Sequence, residues 1–139
     1  MAHDLTQGVI IVAEDSPPNR AILVHLLLKL GFTVVECKDG LAAFEEMKKL
    51  QEQKATVLAV LSDIMMPRMD GIELLKQVRA IEEWKSLPFV LVTAVSDKTH
   101  IMEAKDHSVN GYILKPVTVQ RVLSKLQELC PQRTFPKVA

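Results

Sequence analysis

The chain has 139 residues, of which 48% are hydrophobic and 24% are charged. This length and balance predict one globular domain with an ordinary hydrophobic core and exclude a disordered chain. The 17 basic and 17 acidic residues cancel, so no field of one sign draws the protein to nucleic acid or to an anionic membrane.

The first half of the chain alternates short apolar runs with segments of helical period, which is typical of βαβ units around a parallel sheet. The first run, VIIVA, is nearly continuous, as expected for a strand covered on both faces. Pro17 and Pro18 favour a helix start, and Gly31 favours its end. The expected elements are a strand at 9–13, a helix at 17–30, a strand at 32–37 and a helix at 41–50.

The second half continues the same alternation up to residue 130. The expected elements are a strand at 57–61, a helix at 72–81, a strand at 89–93, a helix at 98–106, a strand at 112–114 and a helix at 119–129. We therefore predict one domain over 9–130, an N-terminal extension over 1–8 and a C-terminal tail over 131–139.

The N-terminus does not resemble a signal peptide, and no apolar run approaches the roughly 20 residues that cross a bilayer. We expect a cytoplasmic protein without membrane insertion. The two cysteines, Cys37 and Cys130, have neither metal-binding nor redox spacing, so we expect buried, reduced thiols.

Chemically reactive side chains concentrate where the predicted strands end. Carboxyl ends of parallel strands meet at one edge of a sheet. The strand ends carry Glu14 and Asp15 after the first strand, Asp63 after the third, Thr93 at the end of the fourth, and Lys115 and Pro116 after the fifth.

Three carboxylates at one edge repel each other unless a positive charge compensates, so these residues predict a divalent cation. Mg²⁺ prefers such oxygen ligands. Lys115 adds positive charge, and the Thr93 hydroxyl can donate to an oxygen of a transferred group. This is an arrangement for phosphoryl transfer. Because Asp63 follows the third of five strands, we favour it as the nucleophile, with Glu14 and Asp15 as metal anchors.

Residues 9–129 resemble a response-regulator receiver domain of two-component signalling. The resemblance is carried by the acidic pair Glu14-Asp15, the segment DIMMPRMDG at 63–71, Thr93-Ala94 and the segment YILKP at 112–116. It implies an α/β, flavodoxin-like, doubly wound sheet of five parallel strands in the order 2-1-3-4-5, with five helices.

The resemblance also implies roles for the acidic residues. Asp63 would accept a phosphoryl group from a histidine kinase. Asp15 and Asp63 would bind Mg²⁺ directly, with Mn²⁺ as a possible substitute. Glu14 would act through water, and Met65 would contribute its backbone carbonyl. Aspartate is commoner than glutamate at the position of Glu14, but we expect metal binding to survive this departure.

Further roles implied by the resemblance concern the switch and the lifetime of the phosphoryl group. Thr93 and Lys115 would contact the phosphoryl oxygens, Tyr112 would turn inward as Thr93 moves, and the peptide bond between Lys115 and Pro116 would be cis. The side chains two positions after the acceptor and after the threonine, Met65 and Val95, cannot orient a water molecule. Slow self-dephosphorylation is therefore expected.

Several functions remain open at this point. We favour a stand-alone switch that catalyses only its own phosphorylation and dephosphorylation. The segment NGYILKPVT at 110–118 is similar to chemotaxis-type receivers, whose downstream partner is a flagellar motor switch protein. A phosphorelay intermediate with a histidine phosphotransfer protein as partner is the alternative. A small Mg²⁺-dependent phosphatase would need Asp-x-Asp, where Met65 stands, and no glycine-rich nucleotide-binding motif follows any strand.

Overall fold

The computed structural model describes residues 8–94 and 98–129. Val95, Cys130, most of the predicted extension and the predicted tail lie outside these residues, and the division into extension, domain and tail stays a prediction. In chain order the elements are β1 (Val9–Ala13), α1 (Pro17–Lys29), β2 (Thr33–Cys37), α2 (Gly40–Glu52), β3 (Val57–Asp63), α3 (Gly71–Arg79), a short 3₁₀ turn (Glu82–Trp84), β4 (Phe89–Thr93), α4 (Lys98–Lys105), β5 (Gly111–Leu114) and α5 (Val119–Leu129).

The five strands form one sheet in the order β2-β1-β3-β4-β5, and all neighbouring pairs are parallel. The predicted fold class and strand order are thereby confirmed. All five residues of β1 are buried, as the apolar run VIIVA predicts for a central strand with helices on both faces.

A hydrophobic core lies on each face of the sheet, because successive side chains of a strand point to opposite sides. On one face, Ile11 of β1 packs in the core that includes Met47 of α2 and Leu75 of α3. On the other face, Ile10 packs in the core that includes Leu27 of α1 together with residues of α5. Within the described part of the chain, no helix has the length and apolarity needed to cross a membrane.

The boundary of β3 differs from the predicted one, as several helix ends do by one or two residues. This strand was expected to end at residue 61, but it continues to Asp63. The reason is pairing with β4, where Ser62 lies opposite Leu91 and Asp63 lies opposite Val92. The ladder of hydrogen bonds therefore extends to Asp63, which holds its backbone in the sheet. The 3₁₀ turn was not predicted, and Ile81, assigned to the third helix, lies beyond its end.

Aspartate side chains cap two of the helices on the side of the sheet where β1 and β3 end. Asp39 accepts a hydrogen bond from the N–H of Ala42 at the start of α2 (2.8 Å), and Asp70 accepts one from the N–H of Glu73 at the start of α3 (2.8 Å). Both satisfy N–H groups that an α-helix leaves without partners at its N-terminus. These caps fix where the chain leaves the loops that surround the carboxyl ends of the strands.

Candidate functional site

The ends of β1 and β3 bring three carboxylates together. Glu14, Asp15 and Asp63 each offer a carboxylate oxygen, and these oxygens lie within 4.8 Å of one another. Glu14 is 4% exposed, whereas Asp15 is exposed and Asp63 is partly buried. We call these three residues the acidic cluster. The cluster is open to solvent on the side of Asp15, so a hydrated ion can reach it.

Lys115, which follows β5, lies against the acidic cluster. Its Nζ donates a hydrogen bond to Oδ2 of Asp63 at 3.3 Å and is 3.9 Å from Oε1 of Glu14. Its backbone N–H donates to the carbonyl oxygen of Thr93 (2.8 Å), which holds the chain beside the end of β4. The peptide bond from Lys115 to Pro116 is cis. One ammonium group thus contacts two of the three carboxylates, which leaves negative charge uncompensated.

Glu14 carries the clearest sign of that excess. Neither of its carboxylate oxygens has a hydrogen-bond partner among the described residues, although buried polar groups are nearly always paired. Burial, followed by the neighbouring Asp63, raises the pKa of Glu14 to about 8, and Lys115 offsets this only partly. A buried carboxylate without a hydrogen-bond partner among the described residues fits a hard divalent cation that is bound through oxygen atoms and water.

Asp63 is held by groups of its own loop and strand. Its Oδ1 accepts a hydrogen bond from the N–H of Ile64 (2.8 Å), and its carbonyl oxygen accepts one from the hydroxyl of Ser62 (2.8 Å). With Lys115 at Oδ2, both carboxylate oxygens have a donor. This fixed orientation at the carboxyl edge of the sheet points the side chain of Asp63 towards the other two carboxylates.

The remaining predicted site residues include Thr93, Met65 and Tyr112. Thr93 is fully buried at the end of β4, and its hydroxyl donates to the carbonyl oxygen of Ala94 (3.2 Å). Met65 is in the loop after β3, with 61% of the residue exposed. Tyr112, on the edge strand β5, pairs with Leu91 of β4. It is 43% exposed, so it lies on the surface. Of the predicted site residues, the structure therefore brings four together: Glu14, Asp15, Asp63 and Lys115.

A cavity of about 140 Å³ adjoins the acidic cluster. Asp63, Glu14 and Lys115 line one side of it, while Ile22 of α1 and Val117 contribute apolar walls. Apolar walls lower the effective dielectric constant beside the carboxylates and so strengthen electrostatic interactions there.

Sequence reasoning missed one ion pair next to the site. Arg68, in the loop after β3, contacts Asp39 at the start of α2, with 2.9 Å from Nε to Oδ2. The two residues are 29 positions apart. The sequence shows that Asp39 precedes a predicted helix and that Arg68 lies within DIMMPRMDG. Neither position indicates that the two residues form a pair.

Comparisons with known proteins agree with the fold. A model of the family described as response regulator receiver domain matches residues 10–127. The chain is 40% identical over 121 residues to the chemotaxis protein CheY-3 of Vibrio cholerae, covering 86% of this chain and 89% of that protein. It is 36% identical over 121 residues to the chemotaxis protein CheY of Pseudomonas aeruginosa, covering 86% and 94%.

Among solved structures, the chemotaxis protein CheY4 of Vibrio cholerae matches with a TM-score of 0.77 and 28% identity, covering 88% of this chain and 98% of that one. The receiver domain of a sensor histidine kinase from Pseudomonas aeruginosa, crystallised with a magnesium ion coordinated in the active site cleft, matches with a TM-score of 0.72 and 25% identity, covering 88% and 97%. The chain therefore belongs to the response regulator receiver domain family, as a signalling protein of the chemotaxis CheY type.

Proposed function

We propose that this protein is a cytoplasmic switch that accepts a phosphoryl group on Asp63 from a phosphohistidine of a histidine kinase. The observation that carries the proposal is the meeting of Asp63 with Glu14, Asp15 and Lys115. Carboxylate oxygens of the first three lie within 4.8 Å of one another, and Lys115 Nζ lies 3.3 Å from Asp63. Capping or solvation of separate loops does not explain such convergence of residues from three strand ends.

The residues that would hold Mg²⁺ are Asp15 and Asp63 directly, Glu14 through water and Met65 through its backbone carbonyl. Mn²⁺ would substitute, because it also takes oxygen ligands in octahedral geometry. The oxygens of Glu14, which have no hydrogen-bond partner among the described residues, support this assignment. So does the magnesium ion in the active site cleft of the Pseudomonas aeruginosa receiver domain. When bound, the ion would supply positive charge that stabilises the oxygens of the transferring group.

The chain's own residues account for the rest of the transfer. A carboxylate oxygen of Asp63 forms a bond to phosphorus as the bond from phosphorus to the histidine nitrogen breaks, and the imidazole leaves and takes a proton. Lys115 is already within hydrogen-bond distance of Asp63, so its ammonium can donate a hydrogen bond to a phosphoryl oxygen on Asp63. The hydroxyl of Thr93 is the second donor to those oxygens. Catalysis here is positioning and charge stabilisation, and the protein acts only on itself.

The output would come from Thr93 and Tyr112. A phosphoryl group adds a charge of about −1.5 to −2 at neutral pH, which attracts the hydroxyl of Thr93 and rearranges the end of β4. Tyr112 lies on the neighbouring strand with 43% of the residue exposed, and it would turn inward as Thr93 moves. Such a shift needs a bias of only a few kcal/mol between two packings. The changed surface would then bind the downstream partner.

A phosphorylation assay tests the proposal. The purified chain is incubated with acetyl phosphate and Mg²⁺ and its intact mass is measured. We expect the mass of one phosphoryl group to be added, to be removed by hydroxylamine as for an acyl phosphate, and to map to the peptide that contains Asp63. A chelator should prevent the addition. No addition with Mg²⁺, or addition at another residue, would refute the proposed function.

For the output partner we favour a motor switch protein over a histidine phosphotransfer protein, because the curated relatives are chemotaxis proteins. Phosphorylated protein is mixed with each purified partner in turn. Binding to the motor switch protein that requires phosphorylation supports the chemotaxis output. Rapid movement of the phosphoryl group to the histidine of the phosphotransfer protein, without such binding, supports the phosphorelay role.

The side chain of Met65 should set the lifetime of the phosphoryl group. Replacement of Met65 by asparagine introduces a hydrogen-bonding group at an exposed position two residues after Asp63. It can orient a water molecule for attack on phosphorus. We expect dephosphorylation to become about fivefold faster, which is the rate equivalent of one hydrogen bond of about 1 kcal/mol. The decay of the phosphorylated mass over time measures this.

Met65→Leu is the matched control, since leucine keeps the apolar character and the approximate size of methionine. Its decay rate should equal that of the wild type. An unchanged or longer lifetime for Met65→Asn would contradict the role of this position.

A further inference from the structure

A two-point salt bridge ties the loop after β3 to the start of α2. Nε of Arg68 is 2.9 Å from Oδ2 of Asp39, and its Nη2 donates to Oδ1 at 3.3 Å. Asp39 is 2% exposed, whereas the side chain of Arg68 is 49% exposed. The planar guanidinium therefore approaches the buried carboxylate with the fork geometry that only arginine provides.

Asp39 is suited to hold this contact in an ionised state. Burial acts against ionisation, but the hydrogen bonds from Arg68 and from the N–H of Ala42 outweigh it and keep the pKa of Asp39 below its ordinary value. Oδ1 caps α2, and Oδ2 receives Nε of Arg68. The carboxylate of Asp39 therefore binds both the N-terminus of α2 and the loop after β3.

The backbone of Arg68 indicates that its side chain is needed. Its φ angle is 65°, in the left-handed region that glycine adopts freely and that is unfavourable for residues with a Cβ. The next residue makes a second attachment, because the carbonyl oxygen of Met69 accepts a hydrogen bond from the N–H of Gly40 (3.0 Å). A Cβ on Gly40 would collide with that carbonyl oxygen. Arg68 and Met69 of the loop therefore contact Asp39 and Gly40, respectively, at the start of α2.

The loop after β3 begins next to Asp63, the proposed phosphoryl acceptor. The N–H of Ile64 donates to the carboxylate of Asp63 (2.8 Å), and the carbonyl oxygen of Ile64 accepts from the N–H of Gly71 (2.7 Å). Met65 lies between these contacts and the attachments at Arg68 and Met69. Its exposed side chain contributes little to holding it, so the direction of its carbonyl depends on the fastened backbone on both sides.

We propose that Asp39 and Arg68 form a positioning pair for the divalent cation. By fixing the backbone of residues 65–69, they would set the direction of the carbonyl of Met65, which is one of the proposed ligands of the cation. This inference rests on the proposed function, because it assigns the pair a role towards the metal that the acidic cluster would bind. Neither residue is a ligand. Their effect is transmitted through the loop.

The charge of Arg68 makes the inference sharply testable. By Coulomb's law alone, removal of a positive charge near a cation site tightens cation binding. Removal of a positioning contact weakens it, since loss of the partners that orient metal ligands costs roughly 10- to 100-fold in affinity. The two explanations therefore predict opposite signs for Arg68→Gly, which also relieves the left-handed backbone.

The probe is Mn²⁺ alone, with free ion measured by electron paramagnetic resonance and water on bound ion measured by proton relaxation. The full chain is compared with Arg68→Gly, Arg68→Lys, Asp39→Asn and the double variant Asp39→Asn/Arg68→Gly. Asn keeps the cap of α2, because its Oδ1 can still accept from the N–H of Ala42. Glu128→Gln, which removes an exposed partner of Lys125 on α5, is the control for loss of a charge. All measurements are made well below each variant's unfolding temperature.

We expect Mn²⁺ to bind about tenfold more weakly to Arg68→Gly and to Asp39→Asn, with about one additional water on the bound ion where the carbonyl of Met65 is lost. Arg68→Lys should lie between, and the double variant should bind no more weakly than either single variant. Glu128→Gln should match the wild type. Wild-type or tighter binding by Arg68→Gly, or weaker binding with unchanged hydration, overturns the inference. If the wild type itself binds no Mn²⁺, the proposed function fails, and that result is separate from the comparison among variants.

Discussion

Asp63→Asn should take up no phosphoryl group from acetyl phosphate under conditions in which the wild type is phosphorylated. Asparagine keeps the shape of aspartate and can still accept the hydrogen bond from Ile64, which Asp63 receives at 2.8 Å. Its amide lacks the negative oxygen that attacks phosphorus, and its NH₂ group would oppose Lys115 donor to donor. Intact mass after incubation with Mg²⁺ measures the effect, which we expect to be complete loss.

The same variant should respond less to Mg²⁺ in thermal unfolding. A ligand that binds only the folded state stabilises it by RT ln(1 + [L]/Kd), about 2.7 kcal/mol at 100 times Kd. If the loss of one of three carboxylates weakens binding tenfold, the gain at the same concentration falls to about 1.4 kcal/mol. Asp106→Asn, an exposed change of the same charge beyond the end of α4, should behave as the wild type. Phosphorylation of Asp63→Asn at the wild-type level would place the acceptor elsewhere.

The fold could be predicted from the sequence because its signals are local. The run VIIVA predicted a strand buried on both faces, and all five of its residues are buried. The helical period of residues 119–129 predicted α5, whose Val122 and Leu126 are buried. Strand ends depend on partners, however. Nothing local to residues 62 and 63 shows that β4 pairs with them, and β3 was therefore predicted two residues too short.

The acidic cluster could be predicted because topology brings the carboxyl ends of parallel strands to one edge. Glu14, Asp15, Asp63 and Lys115 do lie together. The ion pair of Asp39 with Arg68 could not be predicted in this way. A charged residue in a loop has many possible partners, and the choice depends on side-chain reach and backbone conformation. The left-handed φ of Arg68 has no sequence signature, because arginine, unlike glycine or asparagine, does not favour that region.

Gly71→Ala should damage both the fold and the site. Gly71 is the first residue of α3, where helix propensity alone favours alanine over glycine by up to about 1 kcal/mol. A Cβ there would collide with the carbonyl oxygen of Asp63 and lie 3.1 Å from Cα of Ile64. Both are backbone atoms at the acceptor, so no flexible side chain can give way. Steric strain of about 3 kcal/mol outweighs the gain in propensity, and we expect a net loss of about 2 kcal/mol in the free energy of unfolding.

The strain must be relieved by moving either α3 or the backbone of Asp63. Asp63 is the last residue of β3 that pairs with β4, so the sheet does not hold the chain beyond it. We therefore expect slower phosphorylation and weaker Mn²⁺ binding in Gly71→Ala at temperatures where it is fully folded, together with the loss of stability in urea. Gly111→Ala is the matched control. The three atoms nearest to a Cβ there belong to the flexible side chain of Lys125, the first being Nζ at 3.0 Å, so the stability of this variant should stay within about 0.5 kcal/mol of the wild type. Equal stability and equal phosphorylation for Gly71→Ala would show that close packing of α3 against the acceptor's carbonyl does not constrain the site.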